Sequence, residues 1–276
     1  MNYVFIGLGN MAGAILRGMK QSGDFAADSL FGYDADPACG ERLKAEVPLT
    51  PAKTAAEAVS QASVVVLAVK PQVMGQVLAG LQEALSRDKL VISIAAGLPV
   101  DFYQRRLQDK VPVVRVMPSL NAKVQSACSA VCGGAHATEQ HLAIARKLFS
   151  AVGSVYDVPE KLFPAFSALS GAAPAFVFQF IDGLASAGVK AGLARPLAQQ
   201  IATEMTLGSA KLLRQAGEHP RQLMDQVCSP GGTTIEGVHA LDACGFDHAL
   251  HQAVQAVIDK DLLLGRSTPE QKESKA

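Results

Sequence analysis

The sequence predicts an α/β fold, with a doubly wound sheet in its first part and helices alone in its second. Two observations carry this prediction. Residues 1–158 alternate short apolar segments with amphipathic helical ones, as a series of βαβ units requires. From residue 164 onward the pattern is helical only, with proline in several first turns and glycine near several helix ends. We therefore expect a sheet domain over 1–159, a helical domain over 160–266 and a loose polar tail over 267–276.

A glycine-rich turn follows the first predicted strand. Residues 4–6 have the apolar character of a buried parallel strand, and a helix is predicted over about 11–21. Between them, Gly7, Gly9 and Ala12 stand at the G-x-G-x-x-G/A spacing of a Rossmann-like dinucleotide site. Gly7 permits the tight turn, Gly9 lets a pyrophosphate approach the backbone, and Ala12 lets the helix pack close to the strand. The alternative is that the turn only connects a strand to a helix.

An acidic residue stands where a dinucleotide site needs one. Residues 30–33 are predicted as the second strand, and Asp34 ends it, where a carboxylate can bind an adenosine ribose 2′-OH. The same carboxylate would repel a 2′-phosphate, and no arginine follows in Ala35-Asp36 to reverse that preference. Taken alone, these residues predict a nicotinamide dinucleotide cofactor and favour NADH over NADPH.

Further elements complete the predicted sheet domain. Strands are predicted over 63–69, 90–94, 113–117, 127–132 and 154–158, and helices over 38–46, 54–60, 73–85 and 139–151. The carboxyl ends of such strands face the ligand crevice, which adds Ala68, Lys70 and Pro71 after one strand. The small residues Ala95 and Gly97 follow the next strand and leave space beside a flat ring. For Lys70, a solvated loop position is the alternative.

The helical half is unusually rich in small and apolar residues. Helices are predicted over 174–191, 196–215, 220–227, 233–243 and 249–264. A helical half this apolar is hard to leave exposed to water. We therefore expect it to bury part of its surface against another subunit.

A turn crowded with glycine and hydroxyl groups joins two of these helices, at Ser229-Pro230-Gly231-Gly232-Thr233-Thr234. The N–H groups of Gly231, Gly232 and Thr233 could point together at a carboxylate, aided by the helix dipole, which contributes about 0.3–2 kcal/mol. The alternative is an ordinary helix N-cap by Thr233 or Thr234.

Several segments together resemble one known family, the pyrroline-5-carboxylate reductases, along nearly the whole chain. They are Gly7-Leu8-Gly9-Asn10-Met11, Val69-Lys70-Pro71, Ala95-Ala96-Gly97, Arg115-Val116-Met117-Pro118, Leu169-Ser170-Gly171-Ala172-Ala173-Pro174-Ala175-Phe176 and, most strongly, Ser229-Pro230-Gly231-Gly232-Thr233-Thr234. The resemblance implies a reductase that converts Δ1-pyrroline-5-carboxylate to L-proline with NAD(P)H, the last step of proline biosynthesis. It also implies a helical dimerisation domain, often assembled into a decamer.

The resemblance also implies roles for particular residues. The turn at 229–233 would hold the substrate carboxylate, and the Thr234 hydroxyl would lie at the ring nitrogen, which makes Thr234 the candidate catalytic residue. The expected substrate-binding residues are Ser229, Gly231, Gly232, Thr233 and Thr234, and the expected cofactor-binding residues are Gly7, Gly9, Asn10, Met11, Ala12, Asp34, Ala68, Lys70, Pro71, Ala95 and Gly97. The family often uses NADPH, so NADP and NAD both remain open as the cofactor.

Composition argues against other classes of protein. Lysine and arginine total 25, as do aspartate and glutamate, so nucleic acid and anionic membranes are not expected partners. The five cysteines form no C-x-x-C pair. The histidines have no cysteine or carboxylate at the spacing of metal ligands. The first predicted strand begins almost at Met1. We therefore expect a cytoplasmic protein without a leader or metal. The longest apolar run, 64–69, is too short to span a bilayer.

Two rival functions remain open at this point. One is another two-domain imine or β-hydroxyacid dehydrogenase, but hydroxyacid enzymes of that plan carry a catalytic lysine on the long helix after the sheet. Residues 171–182 contain no lysine. The other is a regulator that binds the dinucleotide without turnover, and it predicts binding without substrate-dependent oxidation.

Overall fold

The computed structural model of the chain describes residues 1–107 and 110–266. The predicted loose tail, 267–276, lies outside the described residues. Packing divides the chain into two compact units. Of the described residues, one unit consists of those up to Gly171 together with those from Val257 to Arg266, and the other consists of residues 172–256. Residues 160–171 therefore belong with the sheet in terms of packing.

Within the described residues, eight strands form one sheet in the first unit. They are β1 (Asn2–Ile6), β2 (Ser29–Tyr33), β3 (Leu49–Pro51), β4 (Val64–Leu67), β5 (Leu90–Ser93), β6 (Val113–Met117), β7 (Ala127–Gly133) and β8 (Gly153–Asp157). Their order across the sheet is β3-β2-β1-β4-β5-β6-β7-β8. Neighbours are parallel except β6 and β7, which pair antiparallel. The direction of winding reverses between β1 and β4, where sheets of this kind bind ligands.

Helices connect these strands and make up the second unit. The α-helices of the described residues are α1 (Asn10–Ser22), α2 (Pro37–Lys44), α3 (Ala55–Ser60), α4 (Pro71–Leu81), α5 (Val100–Gln104), α6 (Glu139–Ser150), α7 (Phe163–Ser167), α8 (Ala173–Lys190), α9 (Arg195–Ala216), α10 (Pro220–Val227), α11 (Thr233–Ala243) and α12 (Phe246–Arg266). A π-helical turn, Ala168–Ala172, joins α7 to α8.

Apolar cores cover both faces of the sheet. Val4 and Ile6 of β1 are buried in one core, and Tyr3 and Phe5, which point to the opposite face, are buried in the other. Helices α1 and α6 contribute to the core around Phe5, whereas α3, α4 and α5 contribute to the core around Val4. Parallel strands that are apolar on both faces need cover on both sides. The predicted doubly wound, Rossmann-like sheet is confirmed.

The helices of the second unit bury few of their residues. Ala185 of α8 packs with Ala198 and Ala202 of α9 in a small cluster. Large apolar side chains on the same two helices are exposed, among them Phe178 at 60% and Leu212 at 54%. Exposed apolar surface of this extent marks an interaction site.

One helical stretch of this region has the length and composition of a membrane span. Within residues 160–190, an 18-residue window has a mean hydropathy of 1.3, and 6% of that window is buried within the chain. Glycine and polar residues interrupt this stretch, so its length and composition are not evident from uninterrupted apolar runs.

The predicted elements are confirmed, with local differences. Three short elements, β3, α5 and α7, were not predicted, because three to five residues are too few to show a periodic pattern. The last helix begins at Phe246 rather than at Ala249. The antiparallel direction of β7 also went unpredicted, because strand direction depends on pairing partners distant in sequence.

Gly18 lets α1 lie close to the turn before β8. An added Cβ at Gly18 would lie 2.5 Å from Val152 Cγ1 and 2.6 Å from the Ala151 carbonyl oxygen. We expect Gly18→Ala to lower the free energy of unfolding by about 1–3 kcal/mol, as overpacking does. In the matched control, Gly75→Ala in α4, the added Cβ meets nothing within 4 Å. It should raise that free energy by up to about 1 kcal/mol. Urea unfolding at one fixed protein concentration measures both, and equal stabilities would contradict the packing argument.

Candidate active site

A cleft lies at the carboxyl ends of β1, β2 and β4, where the winding of the sheet reverses. Its volume is about 580 Å³. Five of the residues expected to bind a dinucleotide line it, namely Gly7, Gly9, Asp34, Ala68 and Lys70. Residues that are far apart in the chain are therefore brought together at the position where α/β sheets of this topology bind ligands.

Gly7 begins the turn that forms the floor of this cleft. Its φ angle is +95°, and a Cβ there would lie 2.9 Å from both the carbonyl carbon and the oxygen of Ala68. Its N–H donates to the Tyr33 carbonyl oxygen at 2.8 Å. The turn thus contacts the ends of both neighbouring strands, and at this position only glycine fits without strain.

Gly9 caps α1 and leaves space in front of the helix. No side chain caps the first turn of α1, and that turn contains no acidic residue. A Cβ on Gly9 would meet nothing within 4 Å, whereas Ala12, one turn on, is buried at 1% exposure. Asn10 and Met11 occupy the first turn of the helix. Open space before unpaired N–H groups fits a pyrophosphate.

The carboxylate of Asp34 links the two loops that border the cleft. Its Oδ2 accepts the Leu8 N–H at 2.6 Å, and its Oδ1 accepts the Asp36 N–H at 2.9 Å. Each carboxylate oxygen has a second lone pair, so these bonds leave acceptor capacity for a ribose hydroxyl. Asp34 therefore holds the glycine-rich turn in place while it lines the cleft.

The other expected cofactor residues lie at the neighbouring strand ends. Lys70 is exposed at the N-cap of α4, and Pro71 is its first residue. Ala95 is buried at 4% exposure, and Gly97 has a φ of +75° with no atom within 4 Å of an added Cβ. Ala95 and Gly97 follow β5, next to β4, and are not part of the lining of this cleft.

A polar cluster that the sequence analysis missed lies beneath the loop that carries Ala95. Arg115, in the middle of the apolar strand β6, is 7% exposed, and its Nη1 lies 2.9 Å from Glu160 Oε1. The Ser93 and Tyr103 hydroxyl groups are 2.5 Å apart and fully buried. Burial raises the pKa of Tyr103 to about 12, so this hydroxyl stays protonated at neutral pH. The available signal was an arginine within an otherwise apolar strand, which implies a buried partner.

The turn between α10 and α11 has an uncapped helix N-terminus. Gly232 is the N-cap residue of α11, and no side chain caps this end. Gly231 has a φ of +66°, and the Gly232 N–H donates to the Ser229 carbonyl oxygen at 3.0 Å. This pattern, with proline second and glycine third, is typical of a type II turn.

The alternative that Thr233 or Thr234 caps α11 is wrong, because the helix begins at Thr233 and neither hydroxyl caps it. Both threonines are exposed. The expectation that the Gly232 N–H donates to a carboxylate is also wrong, because this N–H is used within the turn by the Ser229 carbonyl oxygen. The turn lies in the second compact unit, whereas the cleft lies in the first.

Among the described residues, neither the cleft nor the turn before α11 has a cluster of metal-ligating side chains. Within residues 1–107 and 110–266, no group of three or more histidine, cysteine, aspartate or glutamate side chains stands close enough to hold a metal ion.

Comparison with known families agrees with the two halves of this architecture. Residues 2–97 match the family of coenzyme F420-dependent NADP oxidoreductases. Residues 160–263 match the dimerisation domain of pyrroline-5-carboxylate reductase. A pyrroline-5-carboxylate reductase of Methanosarcina acetivorans is 37% identical over 262 residues, which are 95% of this chain and 97% of that protein. The chain belongs to the pyrroline-5-carboxylate reductase family.

Solved structures of the same reductase family share the whole fold. The pyrroline-5-carboxylate reductase of Coxiella burnetii has a TM-score of 0.91 at 27% identity, covering 95% of this chain and 98% of that one. The pyrroline carboxylate reductase of Plasmodium falciparum, solved with NADP bound, has a TM-score of 0.84 at 28% identity, covering 96% and 98%. This reductase family therefore matches the sheet and the helical half together.

Two glycines of the cleft should respond differently to an added methyl group. We expect Gly9→Ala to weaken NADH and NADPH binding by about tenfold or more, because the methyl group enters the space proposed for the pyrophosphate. Its thermal stability should match that of the wild-type reductase. Gly7→Ala should instead lower the free energy of unfolding by about 1–3 kcal/mol, since it forces a strained backbone. Fluorescence titration and thermal unfolding measure the two effects. Wild-type dinucleotide affinity in Gly9→Ala would rule out this position for the pyrophosphate.

Proposed function

We infer that this chain is an NAD(P)H-dependent pyrroline-5-carboxylate reductase. It transfers a hydride to the C=N carbon of Δ1-pyrroline-5-carboxylate and gives L-proline, the last step of proline biosynthesis. The observation that carries this function is the 37% identity over 95% of the chain with a protein of that name. The cleft supports it independently, because the open space at Gly9 and the uncapped N-terminus of α1 fit a dinucleotide.

The cleft and its surroundings supply the proposed dinucleotide site. Gly7, Gly9 and the first turn of α1, with Asn10, Met11 and Ala12, are proposed to hold the pyrophosphate. Asp34 is proposed to face the adenosine ribose. Ala68, Lys70 and Pro71 follow β4, and Ala95 and Gly97 follow β5, toward the half of the ligand that reacts. When bound, NAD(P)H supplies the hydride.

The turn before α11 supplies the proposed substrate site. Ser229, Gly231, Gly232 and Thr233 are proposed to form the carboxylate site. Gly232, whose own N–H bonds within the turn, shapes the site as the N-cap residue of α11, and Thr233 is proposed to donate its N–H to the carboxylate. The favourable end of the helix dipole adds to this binding. Thr234, the second residue of α11, is proposed to orient the ring nitrogen through its hydroxyl.

A site whose residues bind and orient the dinucleotide and the substrate suits the chemistry of a cyclic imine. Such an imine is readily protonated and then already accepts a hydride, so the reaction depends on position more than on a strong general acid. Holding two reactants in register can lower a barrier by about 7–11 kcal/mol. Residues that bind and orient are therefore sufficient, and the proposed site has no histidine or carboxylate acting as an acid.

The helical half carries the dimerisation domain, and we propose that its exposed apolar surface is covered by a second copy of the chain. The stretch at 160–190 falls within the match to that domain, which favours a protein partner over a membrane for it. A dimer is the basic unit on this proposal, and a decamer built from dimers is its proposed extension. The functional domains we propose remain 1–159 and 160–266, in a cytoplasmic enzyme.

A spectrophotometric assay tests the function directly. Oxidation of NADH and of NADPH is followed by absorbance, with and without pyrroline-5-carboxylate. Loss of either cofactor that depends on the substrate, with proline as the product, is the expected result. Dinucleotide binding without any substrate-dependent oxidation would overturn the reductase assignment and support the sensing alternative.

Thr234→Ala tests the role of the hydroxyl group. Removing a donor that acts in the transition state costs about 10²–10³ in turnover, so we expect a loss of that size in kcat. The dinucleotide Kd should change by less than about twofold. Thr234→Ser keeps a hydroxyl and should retain most activity, and Thr233→Ala keeps its main-chain N–H and serves as the matched control. Equal losses in turnover and cofactor affinity would contradict the proposed role.

Asp34→Ser tests how the chain chooses between the two dinucleotides. Removing the carboxylate should raise the ratio of kcat/KM for NADPH to that for NADH by about tenfold, because a like-charge contact with the 2′-phosphate is lost. Asp36→Ser removes the same charge two residues away, where the side chain caps α2 at the Ala38 N–H. It should change the ratio much less. An unchanged ratio in Asp34→Ser would mean that this side chain does not distinguish a ribose 2′-OH from a 2′-phosphate.

A further inference from the structure

Three neighbouring strands place polar side chains side by side beneath the loop that follows β5. Ser93 of β5 pairs with Arg115 of β6, which pairs in turn with Cys132 of β7. The Arg115 guanidinium lies over the Phe163 ring, 4.6 Å from its centroid. A buried cation is costly unless it is paired. The Glu160 carboxylate, 2.9 Å from Arg115 Nη1, meets that need.

Glu160 also binds the backbone of the loop. The same Oε1 atom accepts the Val100 N–H at 2.8 Å, at the residue where α5 begins. At the other end of the loop, Ser93 Oγ accepts the Ala95 N–H at 3.3 Å and is hydrogen-bonded to the Tyr103 hydroxyl. The segment from 94 to 99 is therefore held at both ends by neighbouring polar side chains, of which Ser93, Tyr103 and Arg115 are buried and Glu160 is partly exposed. We call Ser93, Tyr103, Arg115 and Glu160 the loop clamp.

The clamped loop lies next to the dinucleotide cleft. Its first residue, Ile94, donates its N–H to the Leu67 carbonyl oxygen at 3.1 Å, and the residues after Leu67 line the cleft. Asp34, the proposed ribose contact, lies at the end of β2, on the opposite side of β1 from β4. A dinucleotide with its adenosine half at Asp34 would therefore extend toward β4 and β5. The small residues Ala95 and Gly97 on the loop leave room for a flat ring there.

We propose that Glu160 is a positioning residue for the hydride donor. Through Arg115 and the Val100 N–H, it holds the loop from 94 to 99 where the nicotinamide half of the dinucleotide binds, without touching the dinucleotide itself. This inference rests on the proposed function for the identity of the ligand. A misplacement of about 1 Å at a reacting centre can cost 10²-fold in rate, so a loop held this firmly matters to hydride transfer.

The test compares whole and truncated dinucleotides on the full-length chain. NADH or NADPH, whichever the wild type prefers, is titrated beside ADP-ribose or its 2′-phosphate, which keep the pyrophosphate and adenosine but lack nicotinamide. The variants are Glu160→Ala and Glu160→Gln. The matched control is Glu139→Gln, which neutralises a glutamate that is paired with Arg146 at the surface and 76% exposed.

Glu160→Ala should weaken binding of the whole dinucleotide by about tenfold or more and lower kcat by a similar factor. Its affinity for the truncated ligand should stay within about twofold of wild type. Glu160→Gln keeps an oxygen acceptor for Val100 and should lose less, which provides the readout if Glu160→Ala does not fold. Glu139→Gln should behave as wild type.

Equal weakening of the two ligands would overturn the proposal, because it would mean a general disturbance of the cleft. Unchanged binding of the whole dinucleotide in Glu160→Ala, or in Glu160→Gln if that is the only variant that folds, would also overturn it. The binding comparison needs no imine substrate, so it can be carried out whether or not the chain is a reductase. A wild-type chain that binds the dinucleotide but does not reduce pyrroline-5-carboxylate would refute the proposed function without deciding the role of Glu160.

Discussion

The close approach of the glycine-rich turn to the end of β4 sets the geometry of the cleft. Gly7 has no room for a side chain against the Ala68 backbone, and its N–H is held by the carbonyl oxygen of Tyr33. These contacts fix where α1 begins and aim its free N–H groups into the cleft. The bond from Leu8 to Asp34 then ties the turn to the loop after β2. A looser turn would leave the carboxylate, the helix end and the β4 residues without a common geometry.

Much of this arrangement could be predicted from sequence, because it follows from local patterns. Apolar runs such as 64–69 identified the buried strands, and the spacing of Gly7, Gly9 and Ala12 identified the ligand-binding end of the sheet. The pairing of Arg115 with Glu160 could not be predicted, since 45 residues separate them and no periodicity links them. The bonds of Asp34 to main-chain N–H groups depend on how two loops fold against each other. Composition carries no information about that.

The two halves of the chain differ in where their apolar residues find cover. In the first half, both faces of the sheet are covered by helices of the same chain. In the second half, the cluster of Ala185, Ala198 and Ala202 is small, and large side chains such as Phe178 remain exposed. The stability of the helical half is thus linked to association, so that it depends on protein concentration. The dimerisation match over 160–263 agrees with this linkage.

The uncapped start of α11 has a consequence for inhibition. On the proposed assignment, the carboxylate is recognised by main-chain donors, which respond to its charge and planar shape alone. Proline carries the same carboxylate as the imine from which it forms, so this turn contributes similarly to the affinity for both. Such uniform binding does not accelerate the chemical step. Discrimination between substrate and product must then come from the ring nitrogen, and other small carboxylates are expected to compete with the substrate at this turn as proline does.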